Sequence, residues 1–270
     1  MFCPSEIPEV LPSTALLSST PIVIPAGAVF SEPRPDLSIA VGYPDLKCPF
    51  CQPGEDTKGT TSEHGLTKYW YQRFSLFSRF EEGVMTDRQG LFSACPEVVS
   101  HHIAQKIRSV VNDGLIVDCT ASIGGNSLTF ALGGPVIAID IDDVKLLCLR
   151  NNAVVYDCDS NIDCILGDCC VVVPTLRNTE AIFIAPEWCG PSYSDFPVYK
   201  PSFFKPNLIQ IASMMRVVDW KILVLSVPNN ISLSMIVDFA RLIDFDGTVD
   251  VEQNVVNGKL KLHHIYFIKK

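Results

Sequence analysis

The sequence predicts one doubly wound α/β domain over its last two-thirds, a mostly parallel seven-stranded sheet closed by an antiparallel hairpin. Three observations predict it. Short apolar, β-branched runs alternate with helical stretches from about residue 111 onward. Three of those runs end on or just before an aspartate, in register with one another. The last two runs flank Asn257-Gly258, a dipeptide suited to a tight hairpin turn.

Taken in order, residues 1–65 read as an irregular tail. They hold ten of the nineteen prolines, eight acidic residues and three basic ones, and no apolar period lasts. Residues 66–110 read as a helical extension. A helix through Lys68–Phe77 would place Trp70, Phe74 and Phe77 on one face. This aromatic and basic stretch suits either an amphipathic helix docked on the domain or a lid that meets an anionic ligand. A longer helix is expected from Ser93-Ala94-Cys95-Pro96-Glu97 to about Arg108, with Pro96 in its first turn and Glu97 at its positive end.

The core follows over 111–270. Strands are expected at Leu115–Cys119, Val136–Asp140, Asp163–Leu166, Ala181–Ala185, Ile222–Val227, Thr248–Asn254 and His263–Ile268. Helices are expected near Asn126–Leu132, Asp143–Tyr156, Asn207–Val217 and Ser232–Leu242, with Gly133-Gly134 stopping the first.

Composition narrows the partners. The net charge of −9 argues against sequence-blind binding of long nucleic acid on a broad basic face. No apolar run is long enough to span a membrane, so no membrane partner is expected. The start MFCPSEIPEV lacks a basic leader, and the eleven scattered cysteines fit free thiols in a reducing compartment. The one CxxC, Cys48 and Cys51, has His64 and Cys95 as conceivable partners, but the spacing matches no metal module. No metal is expected.

The strand ends carry the chemistry. Strand one closes on Asp118, and its glycines come late, at Gly124 and Gly125. A dinucleotide fingerprint would put glycine directly after the strand. An acidic strand end suits the ammonium and sulfonium of S-adenosylmethionine better than a pyrophosphate, and the glycines would let backbone approach the ligand. Asp140 closes strand two, placed to accept both ribose hydroxyls. Asp168 follows strand three and could sit near the adenine amine. Strand four runs into Ala185-Pro186-Glu187-Trp188, a Pro-containing turn ending in an aromatic slab. Carbonyls there can bond a target amine, the indole can stack on a planar base, and a cationic base would stack best. Glu187 could accept from the edge of such a base.

Five βα units followed by a hairpin are the layout of Rossmann-like class I methyltransferases. The blocks LTKYWYQRFSLFSRFEEGVMTDRQGLFSACPE, VDCTASIGGNSLTFAL, VIAIDIDDVKLLCLRNNAVVY and VEQNVVNGKLK together resemble the trimethylguanosine synthase family, over about residues 66–270. The resemblance implies an S-adenosylmethionine-dependent enzyme that methylates the guanine N2 of a 7-methylguanosine cap toward the 2,2,7-trimethyl form. It implies capped RNA as substrate, ribonucleoprotein components as further partners, and work in the nucleus, with the cytoplasm as a second location; it leaves the oligomeric state open, with a monomer as the default.

By resemblance, Asp118 and Asp140 hold the cofactor, and Phe77 and Ser93 form part of the site. Trp188 stacks on the methylated guanine, while Lys68 and Asn152 face the cap phosphates. The chain departs from the family at Ser122, where the family has glycine, at Cys95 for threonine, at Ala185 and Glu187 in the Ser-Pro-Pro-Trp turn, and at Asn229 for arginine. A base-amine methyltransferase on another nucleic acid and a cap-binding protein without catalysis remain as alternatives.

Overall fold

A computed structural model describes residues 69–188, 190–256 and 258–270. The tail, Lys68, Cys48, Cys51, His64 and Asn257 lie outside the described residues.

The branched apolar runs form strands, and those at the centre of the sheet are buried on both faces. The strands are β1 (Ile116–Asp118), β2 (Val136–Asp140), β3 (Ile162–Leu166), β4 (Ala181–Ile184), β5 (Ile222–Pro228), β6 (Gly247–Val256) and β7 (Lys259–Lys269). They make one seven-stranded sheet in the order β3-β2-β1-β4-β5-β7-β6. β1 to β5 are parallel, and β7 joins β5 antiparallel. Every residue of β4 and β5 is buried, as expected of inner strands covered on both sides. Gly258 stands at φ 71° between β6 and β7, the left-handed conformation a tight hairpin turn demands.

The helices are α1 (Arg73–Leu76), α2 (Arg88–Ser93), α3 (Glu97–Val111), α4 (Ser127–Ala131), α5 (Asp143–Val155), α6 (Cys169–Val172), α7 (Leu208–Met215) and α8 (Leu233–Leu242). Residues of β1, β4 and β5 alternate between two cores. Ile116, Phe183 and Val224 face the side of α3 and α4, while Val117, Ile184 and Leu225 face α7 and α8. Local chemistry starts several helices. Asp142 accepts from the Val144 and Lys145 N–H groups, Ser232 accepts from Met235, and Asn207 with Gln210 forms a capping box. Pro96 precedes α3, and its apolar stripe Val99, Ile103, Ile107 and Val111 is buried. Lys106 on the wet side of α3 pairs with Asp250 and Glu252, which ties the hairpin to this helix.

The extension differs from expectation. The helix expected through Lys68–Phe77 breaks at Gln72, whose φ −95° and ψ 2° are not helical. Phe74 is therefore 45% exposed while Phe77 is buried, so the two do not share a face. Ser93 ends α2 and does not begin α3.

The strand ends also differ. Asp118 is level with Ala138, Asp140 with Leu166, and Asp168 lies two residues beyond that. The carboxylates are staggered by two residues from strand to strand and are not in register. β1 stops earliest, and β2 and β3 continue past it.

Candidate functional site

The C-terminal ends of β1, β2 and β4 surround the candidate site, where open parallel sheets leave a crevice. Asp118 is 1% exposed. Its Oδ2 accepts the Ser127 hydroxyl at 2.6 Å, and its Oδ1 accepts the Thr120 N–H at 3.3 Å. Burial outweighs these donors and pushes its pKa up to about 7. A cation bound alongside would restore the charged form.

Asp140 is half-buried, and burial raises its pKa as well. Its Oδ1 accepts from the Asp142 N–H at 3.0 Å and its Oδ2 from the Ser122 N–H at 2.7 Å. Each oxygen retains a second lone pair, so acceptor capacity remains for a diol. Asp140 thus also anchors the loop after β1. That anchor holds Ser122 at φ 50°, in the left-handed region that favours glycine. The buried Ser122 hydroxyl oxygen has no partner among the described residues.

Gly124 stands at φ 98°, and a Cβ there would meet Leu149 and Leu128 at 3.1 and 3.2 Å. A Cβ on Gly125 would meet the Ala94–Cys95 backbone and Ala94 side chain at 3.4–3.6 Å. Backbone conformation and packing on α5 and the α2–α3 link therefore account for this pair within the chain itself. Asp168 is exposed, and it caps α6 by accepting the Cys170 N–H at 2.8 Å.

The turn after β4 forms the opposite wall. The Thr120 hydroxyl oxygen accepts the Ala185 N–H at 2.8 Å, joining the loops after β1 and β4. Pro186 is buried and Glu187 is exposed. Backbone bonds between Glu187 and Lys205 hold the turn, Glu187 N–H to Lys205 oxygen at 2.9 Å and the return bond at 3.3 Å. Trp188 is half-buried and meets Tyr193 edge to face at 5.7 Å between ring centres. Its buried indole N–H has no partner among the described residues. Tyr69 and Phe92 pair at 6.3 Å, and α2 touches the Gly190–Asp195 turn that carries Tyr193. The extension therefore meets the Trp188 side of the crevice with aromatic rings.

Two residues expected at the site are placed elsewhere. Asn152 is fully buried. Its amide donates to the Met85 and Ile123 carbonyls, each at 2.9 Å, and accepts the Met85 N–H at 2.6 Å. It joins α5 to the extension and to the β1 loop, with no donor left for a phosphate. Phe77, 1% exposed, packs in the core beneath the extension and offers essentially no surface to a ligand. Ser93 is exposed. Lys68 lies outside the described residues.

Nor do the neighbouring arginines stand open. Arg73 pairs with Glu81 and lies over Trp70 and Phe74, while Arg79 pairs with Glu82 and Asp157. Asn229 bonds the Leu260 carbonyl and so holds the hairpin. Conversely, Thr120, Ser127 and Tyr193 join the site although sequence reasoning passed over them. Ser127 could have been found from its place in the first turn after Asp118. Tyr193 carried no local signal.

A family model described as RNA cap guanine-N2 methyltransferase matches residues 113–270. The trimethylguanosine synthase of Schizosaccharomyces pombe is 34% identical over 173 residues, covering 61% of this chain and 68% of that protein. Two solved structures share the fold at low identity. A candidate methyltransferase of Porphyromonas gingivalis W83 aligns with TM-score 0.56 at 16% identity over 74% of this chain and 48% of its own. The SAM-dependent methyltransferase of Agrobacterium tumefaciens aligns with TM-score 0.52 at 15% identity over 66% and 63%. This chain thus spans about half of the first of these structures.

The strand order with its terminal hairpin is that of class I S-adenosylmethionine-dependent methyltransferases. With more than half of its length matched by the family model, the chain belongs to the RNA cap guanine-N2 methyltransferase family.

Proposed function

We propose that this enzyme methylates the exocyclic N2 amine of a 7-methylguanosine RNA cap, with S-adenosylmethionine as donor. The observation that carries the reading is the meeting of two unlike groups at the C-terminal strand ends. Asp118 and Asp140 close β1 and β2, Trp188 and Tyr193 follow β4, and the Thr120–Ala185 bond joins the loops after β1 and β4. S-adenosylmethionine, when bound, supplies an activated methyl group. The acceptor capacity left on Asp140 suits its ribose hydroxyls, and the raised pKa of buried Asp118 suits a cationic neighbour. Trp188 offers a ring for the positively charged 7-methylguanine, and orientation of the amine supplies most of the rate gain. The reading carries nuclear, capped RNAs as substrates.

Incubation with a 7-methylated capped dinucleotide and labelled S-adenosylmethionine is expected to label the guanine. Absence of label while both ligands bind would favour the second reading, a cap binder without catalysis. Ser122, strained and with a hydroxyl that has no partner among the described residues, is the observation behind that alternative.

Two substitutions probe the walls separately. Asp140→Ala should weaken S-adenosylhomocysteine binding by about 1.5–3 kcal/mol, roughly ten- to a hundredfold by calorimetry. Trp188→Ala should remove about 1–3 kcal/mol of stacking and lower kcat/KM for capped substrate correspondingly, with cofactor affinity unchanged. An Asp140 variant that binds cofactor normally, or a Trp188 variant of normal kcat/KM, would refute the matching wall.

A further inference from the structure

The loop after β3 brings together a group of thiols that methyl transfer does not use. One ligand atom each from Asp168, Cys169 and Cys170 lie within 4.8 Å of one another. Neighbouring residues at a helix start normally diverge by about 100°. Here both thiols of the adjacent pair turn toward the same carboxylate.

Burial grades across the group. Cys169 is 4% exposed, Cys170 is half-buried and Asp168 is open to solvent. An ion would therefore meet the carboxylate first and the buried thiols last.

We propose that Cys169, Cys170 and Asp168 form a binding site for a thiophilic divalent cation of the zinc type. Two sulfurs and one carboxylate oxygen within 4.8 Å of one another fill three positions of a tetrahedral zinc and leave the fourth for water. The site lies at the β3 end of the crevice, and on the proposed cofactor reading Asp168 is the adenine-side residue. A cation that recruits Asp168 competes with the cofactor there.

The test uses the full chain carrying Cys48→Ser and Cys51→Ser, so that the CxxC does not contribute, with all thiols kept reduced. Cadmium titration should give a thiolate-to-cadmium absorption band that saturates at one ion per chain. Zinc should displace it. Cys169→Ala with Cys170→Ala should abolish the band. Cys170→Ser and Asp168→Asn, at more exposed positions, should each weaken binding by about tenfold and serve if the double variant does not fold.

No saturable band, or a band indifferent to all of these substitutions, overturns the site. Zinc should raise the apparent Kd for S-adenosylhomocysteine by about tenfold or more in the parent and far less in Cys170→Ser. Unchanged affinity in the parent overturns the competition. A chain that takes cadmium at these residues but never binds S-adenosylhomocysteine supports the metal site and refutes the cofactor reading.

Discussion

Asn152→Ala is expected to destabilise the chain by about 3–5 kcal/mol, one of the largest effects of any single substitution in the domain. The amide satisfies three backbone groups at once, the Ile123 carbonyl in a buried bond and the Met85 N–H and carbonyl in part-buried ones. Alanine leaves all three without this partner, at roughly 1–3 kcal/mol for each group that water does not reach. Thermal melting should fall by on the order of 10 °C. The salt dependence of capped-substrate binding, measured below the new melting point, should keep its slope. A normal melting point with a flatter salt slope would reverse the assignment and return Asn152 to the phosphates.

Asp118→Asn should separate stability from ligand binding. The folded-state pKa of Asp118 is pushed up to about 7 by burial, while the unfolded chain holds it near the ordinary value of about 4. Between those values the folded state holds the proton that the unfolded state has released. The contribution of Asp118 to stability is therefore complete below about pH 4 and lost as pH rises through about 7. Asparagine carries no such loss. Without ligand, the variant should melt above the parent at pH 8, with the difference closing toward pH 5. Its affinity for S-adenosylhomocysteine should fall about ten- to a hundredfold, because a charge-assisted acceptor is gone. A melting difference that does not vary with pH would show that Asp118 is not held protonated by burial. Unchanged affinity would remove it from the cofactor wall.

The pair also shows how resemblance and geometry part company. Resemblance put Asn152 with the cap phosphates, yet the residue is a buried cross-brace between α5, the extension and the β1 loop. Its three partners are separated from it by 29 and 67 residues, and only a folded chain brings them together. Arg73 and Arg79 sat among aromatic residues in a pattern that suited a cationic lid. Their partners Glu81, Glu82 and Asp157 neutralise them in place.

The sequence by itself determined the sheet. Strand and helix periodicity, capping residues and the glycine turn are local signals, and the seven strands fall where those signals put them. The two aspartates that close β1 and β2 were legible for the same reason, since a strand end is a local event. What only the tertiary structure decided is which atoms meet across the strand ends. It staggers Asp118, Asp140 and Asp168 by two residues each. It spends Asn152 on buried carbonyls, and it bonds Thr120 to Ala185. It also brings Tyr193 to Trp188. The physical reason is that hydrogen bonding and burial between residues far apart in sequence depend on how strands are ordered and how far each runs. Neither quantity is written in any short stretch of chain.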